Sequence, residues 1–142
     1  MKDRKAELFD AVSSPATTLT GAVFSPDGKL VAYASREGRT SSAVYVQPFP
    51  PTGGTRYQIS KNEGDPHHPV WSPNGKELFF TPGPVNRVSV VSISAQPAFT
   101  VGEEVPLARP FVNVGPGLER PFDISHDGQR FLGLIDAAQA RN

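Results

Sequence analysis

The chain has 142 residues, enough for one ordinary domain, and its 14 Lys and Arg balance 14 Asp and Glu. That balance argues against nucleic acid or an anionic membrane as a partner, since both need a clustered basic excess. Thirteen glycines and fifteen prolines break the chain too often for a helical bundle.

In chain order, the charged start Met1-Lys2-Asp3-Arg4-Lys5 is followed by no signal-peptide apolar core, and no apolar run is long enough to span a bilayer. The expected compartment is the cytoplasm for the chain as written, or the periplasm or another extracytoplasmic space for a piece of a longer parent. Residues 6–20 are read as a stray outer strand, at 6–9, and a linker. A short helix over 5–12 is the competing reading, because Leu8, Phe9 and Val12 could share one face. A strand at 21–24 then runs into Ser25-Pro26-Asp27-Gly28, which reads as a tight turn, and a strand at 30–35 leaves it. A polar loop at 36–42, a strand at 43–49, a proline-glycine turn at 50–55 and a strand at 56–60 complete a first unit, 21–60. The order repeats over 69–112, with strands at 69–71 and 77–81 around Ser72-Pro73-Asn74-Gly75, then 88–94 and a last strand near 105–112. A third unit, 121–135, has strands at 121–124 and 130–135 around Ser125-His126-Asp127-Gly128 and stops two strands short.

The motif glycines lie 47 and 53 residues apart (75 minus 28, 128 minus 75), which suits propeller blades of about 40–50 residues. Proline presets the first corner of such a turn, Asp or Asn bonds back to nearby amides, and glycine supplies the positive φ. The expected fold is therefore all-β, a single domain over 1–142 built of antiparallel four-stranded propeller blades, about two and a half of them. Phe24, Tyr33, Tyr45, Trp71, Phe79, Phe80 and Phe131 are the expected aromatic core. A wedge of this kind leaves apolar faces and open edges on its first and last sheets. Self-association is expected in consequence: a dimer closing a ring, with each short third unit receiving its partner's N-terminal strand.

The segments 24–33 and 71–80 resemble the TolB-like, or WD-like, β-propeller repeats of bacteria: an aromatic residue, Ser-Pro-Asp/Asn-Gly, Lys, then an apolar strand. The third copy departs from that pattern, with His126 in the proline position and Asp123 ahead of Ile124. Residues 43–50, Ala-Val-Tyr-Val-Gln-Pro-Phe-Pro, look like the third strand of such repeats. The resemblance covers 21–134 and implies recognition of a protein, peptide or small ligand, with no reaction attached, because a fold does not specify chemistry.

Chemistry-bearing patterns are few. With no cysteine, thiolate catalysis and disulfides are excluded, and no Gly-x-Ser-x-Gly elbow, phosphate loop or His-Glu-x-x-His occurs. No cofactor and no metal is expected. The rival reading is a hydrolase of esterase or peptidase type, assembled at a channel or subunit interface from Ser72 or Ser125 with His67 or His68 and Asp65. Asp65-Pro66-His67-His68 is the most unusual cluster. Successive side chains of an extended segment point to opposite sides, so the two histidines are not expected to act together on a metal, although one of them with Asp65 could form half a site. In a propeller, the segments leading into inner strands and the loops joining second to third strands surround one channel mouth. That mouth would gather Asp65, His67, His68, Arg36, Glu37, Arg39, Arg87 and Arg120 as candidate ligand-binding residues. Ordinary solvated loop charges are the alternative.

Overall fold

The structure is a computed structural model, and it describes residues 19–36, 39–51, 56–61, 64–83, 87–108, 111–112, 114–138 and 140. The strand or helix considered within 5–12 lies outside these residues, as does Glu37.

Eleven strands and no helix occur among the described residues. β1 (Leu19–Phe24), β2 (Leu30–Ser35), β3 (Ala43–Pro48) and β4 (Tyr57–Gln58) form an antiparallel meander in that order. β5 (His67–Trp71), β6 (Glu77–Thr81) and β7 (Val88–Ser94) form a second, whose far edge is shared by β8 (Thr100–Val101) and β9 (Val105–Leu107). β10 (Phe122–Ile124) and β11 (Phe131–Gly133) form a third, two-stranded sheet. No helix among the described residues is long and apolar enough to cross a membrane.

Most expected strands stand within two residues of their places, with three differences. The fourth strand of the first sheet is only two residues long. The last strand of the second sheet ends at Leu107 rather than 112, and β8 was not expected. β8 and β9 pair with the end and the beginning of β7, so they act as one edge strand interrupted at 102–104.

The three hairpin turns share one construction. In each, the glycine amide donates to the serine carbonyl: Gly28 to Ser25 at 2.9 Å, Gly75 to Ser72 at 2.9 Å, Gly128 to Ser125 at 2.8 Å. The serine hydroxyl donates to Oδ1 of Asp27, Asn74 or Asp127 and accepts from the amide five residues on, at Leu30, Glu77 or Arg130. The glycines take φ of 72°, 71° and 73°, a region that a Cβ penalises. His126 in place of proline changes none of this, because the bonds use serine, Asp or Asn, and glycine.

The ladders also share a register. Phe24↔Val31, Trp71↔Leu78 and Ile124↔Phe131 are equivalent pairs, as are Val23↔Ala32, Val70↔Phe79 and Asp123↔Leu132. One face of the second sheet, with Trp71, Leu78, Phe80, Val91 and Ile93, packs on Ala32, Val44, Val46 and Ile59 of the first. Its other face, with Val70, Phe79 and Val88, packs on Phe122, Ile124 and Phe131 of the third. Burying side chains of this size is worth roughly 1.5–3 kcal/mol each, which makes these two interfaces the main source of stability.

Two expectations about the core need correction. The outward face of the first sheet is not bare along its length: Val31, Tyr33, Ala43 and Tyr45 are all buried there. Phe24, by contrast, is 57% exposed where its equivalent Trp71 is buried. The second sheet has a sheet in front of it to cover Trp71, and among the described residues no sheet stands in front of Phe24.

Candidate functional site

The site begins with an irregularity in β5. Its ladder to β6 shifts register between His67 and Val70, and His68 sits at φ 53°. β1 shifts at the equivalent place, between Thr20 and Val23, where Gly21 supplies φ 63°. A bulge suspends the alternation of side chains. His67 and His68 therefore do not point to opposite sides as an extended strand would require; their rings lie 4.6 Å apart, tilted by 35°.

Both rings are buried and both hold the segment that leads into the third sheet. His67 Nε2 lies 2.7 Å from the Val114 carbonyl and His68 Nε2 lies 2.7 Å from that of Leu118. A carbonyl only accepts, so each Nε2 carries the proton and donates. Each Nδ1 is buried without a hydrogen-bond partner among the described residues. Burial drives the His67 pKa from 6.5 down to about 4, reinforced by the neighbouring His68 and by Arg36 and opposed by Asp65. Burial lowers that of His68 too, aided by Arg120 and opposed by the Leu118 bond. Both imidazoles are neutral near pH 7.

Asp65 ties the first sheet to this segment. Its Oδ1 accepts from the Ser42 amide and hydroxyl, each at 2.6 Å, and its Oδ2 lies 3.5 Å from Arg36 Nη2. Burial alone would raise its pKa, but the Ser42 bonds and the charges of Arg36 and His67 outweigh that and hold it below the usual carboxylate value. A cleft of about 130 Å³ opens beside this pair, between Thr20, Arg36 and Ser42 on one side and Pro116 and Gly117 on the other. A second, of about 180 Å³, is lined by Arg39, Ser41, Ser42, Gln58 and Lys61 among others.

Of the residues expected to gather at a mouth, Arg36, Asp65, His67 and His68 come together, and Arg39 lines the adjoining cleft. Arg120 is turned toward the third sheet: its Nε donates to the Phe122 carbonyl at 2.7 Å and its Nη2 to Asp123 at 3.2 Å. Arg87 is exposed at the start of β7, and no bond among the described residues joins it to the others. Ser42, which lines both clefts and holds Asp65, was missed; nothing in the run Thr40-Ser41-Ser42 distinguishes it from its neighbours.

The serines of the hydrolase reading are engaged in turns. Ser72 donates to Asn74 at 2.7 Å and Ser125 to Asp127, while His67 and His68 donate to backbone carbonyls. No hydrogen bond among the described residues joins a serine to either histidine. Among the same residues no three His, Asp or Glu side chains are placed to hold a metal ion. The chain matches no protein-family model, and no curated protein matches it either.

Proposed function

We propose that the chain is a propeller-type recognition module of the TolB-like kind, and that it takes an acidic peptide or small carboxylate ligand at the cleft between Arg36 and Gly117. The propeller reading is supported by the shared turns and ladder registers of three successive sheets, each packed on the next through equivalent faces. A rotation repeated from unit to unit is how propeller blades succeed one another.

The observation that carries the ligand reading is convergence. The start of β1 at Thr20, the loop before β3 at Arg36 and Ser42, the approach to β5 at Asp65 and the approach to β10 at Pro116 and Gly117 all meet at one end of the stack. Arg36 is 41% exposed and lies 3.5 Å from Asp65, its one carboxylate partner among the described residues, so its guanidinium keeps donors for a second one. The two histidines add no charge near neutral pH and hold the far wall.

The test is a ¹⁵N-NMR titration with capped tetrapeptides of acidic, basic and apolar composition. Acidic peptides should shift the Thr20, Ser42 and Gly117 amides saturably, and Arg36→Ala should abolish the effect. Absence of any shift at these amides with acidic peptides would overturn the reading.

A further inference from the structure

The two sheet-to-sheet contacts in this chain repeat in detail, and both ends of the stack carry the unmatched halves of a third. A Cβ on Gly75 would lie 3.6 Å from Cδ of Pro26, and one on Gly128 would lie 3.5 Å from Cδ of Pro73. Each turn glycine thus rests on the turn proline of the unit before. At the front of the stack, a Cβ on Gly28 would have no described atom within 4 Å. At the back, His126 occupies the proline position and is exposed.

The apolar residues follow the same rule. Trp71 packs against Ala32 and Val23, with Nε1 donating to the Val23 carbonyl at 3.4 Å. In the repeat register Phe24 stands for Trp71, while Leu132 stands for Ala32 and Phe79, and Asp123 for Val23. Phe24 is 57% exposed and Leu132 is 78% exposed, against 5% for Trp71, 0% for Ala32 and 5% for Phe79. A cleft of about 390 Å³ lies beside Leu132, bordered by Asp123, Arg130 and Phe131. The Asp123 charge is compensated by Arg120 at 3.2 Å.

We infer that the Leu132 face of the third sheet is an interface for a second copy of this chain, joined head to tail, with Phe24 of the second copy entering the cleft beside Leu132. The contact repeats the turn end of the interface that the first two sheets already make, one unit further on. The rest of the front face, with Tyr33 and Tyr45 buried, stays outside the contact, which involves only its turn end. Such an interface is heterologous: each copy offers a different patch, and a ring forms if the rotation closes. This inference does not depend on the ligand proposed above, since it is read from mass rather than from binding.

The test is light scattering coupled to size exclusion over a concentration series. Wild type should reach twice the 15.2 kDa of one chain. Leu132→Asp and Phe24→Asp should each remain near 15.2 kDa with an unchanged circular-dichroism spectrum. Mixing the two variants should restore association, because each supplies the patch that the other lacks. A wild-type monomer at every concentration would overturn the inference. So would a dimer that survives both substitutions, or variants whose mixture stays monomeric while wild type associates.

Discussion

His67 gives the most quantitative consequence of this fold. Its imidazole is 2% exposed and its pKa falls from 6.5 to about 4 on folding. The unfolded chain takes up a proton at this residue below pH 6.5, while the folded chain resists until about pH 4. The stability tied to neutral His67 is therefore complete above pH 6.5 and drains away as the pH falls to 4, after which the loss levels off. At 1.36 kcal/mol per pH unit, the interval corresponds to at most about 3 kcal/mol. That is a large fraction of the roughly 5–15 kcal/mol that holds a domain together. His68 adds to the loss in the same direction. Asp27, Asp65 and Asp127 have pKa values held below 3.8, so their contributions are lost only at more acidic pH. Urea unfolding from pH 7.5 to 4 should show this loss in wild type. His67→Gln keeps a donor for the Val114 carbonyl but cannot titrate, and its curve should be flatter by up to about 3 kcal/mol. Parallel curves for the two proteins would refute the assignment.

Five further substitutions test the packing and the polar contacts of the cleft. Gly133→Ala should cost about 1–3 kcal/mol in a urea melt, because a Cβ there would overlap Cδ1 of Phe111, whose ring covers the backbone at that point. Gly75→Val should lose at least the roughly 1–2 kcal/mol of a left-handed side chain, and more than Gly28→Val in the same melt, since only Gly75 faces a proline of the preceding turn. Ser42→Ala should cost about 1.5–3 kcal/mol by removing a hydroxyl bond to an ionised carboxylate, whereas Arg36→Ala should cost under about 1 kcal/mol because its ion pair with Asp65 is half exposed.

The hairpins were legible because their information is local. Ser-x-Asp/Asn-Gly specifies a turn through bonds between residues five apart at most, and the flanking apolar residues form the strands. Proline, the most conspicuous letter of the motif, proved dispensable at position 126, while the serine hydroxyl, which bonds twice, drew no attention as a turn residue. Burial was less legible, since it depends on what lies opposite. Phe24 and Trp71 occupy the same place in the repeat, yet among the described residues only Trp71 has a sheet in front of it. The pairing of His67 with His68 was hidden for a different reason. Alternation along a strand is a good rule until a residue enters the left-handed region, and at position 68 that residue is histidine rather than the glycine found at position 21.

The left-handed histidine also explains how the candidate cleft is joined to the rest of the fold. The carbonyls that the two imidazoles grip, Val114 and Leu118, bracket Pro116 and Gly117, which form the cleft wall opposite Arg36. The same segment leads directly into β10, which among the described residues has only β11 as a sheet partner and packs through one face on the second sheet. Glycine at position 68 would relieve the backbone as it does at position 21, but it would release Leu118. A strained residue persists where the surrounding contacts outweigh its cost, and here the contact it makes holds one wall of the cleft and the start of the third sheet at once. The cleft wall opposite Arg36, the packing of the third sheet and the neutrality of the histidine pair are thus linked through residues 114–118.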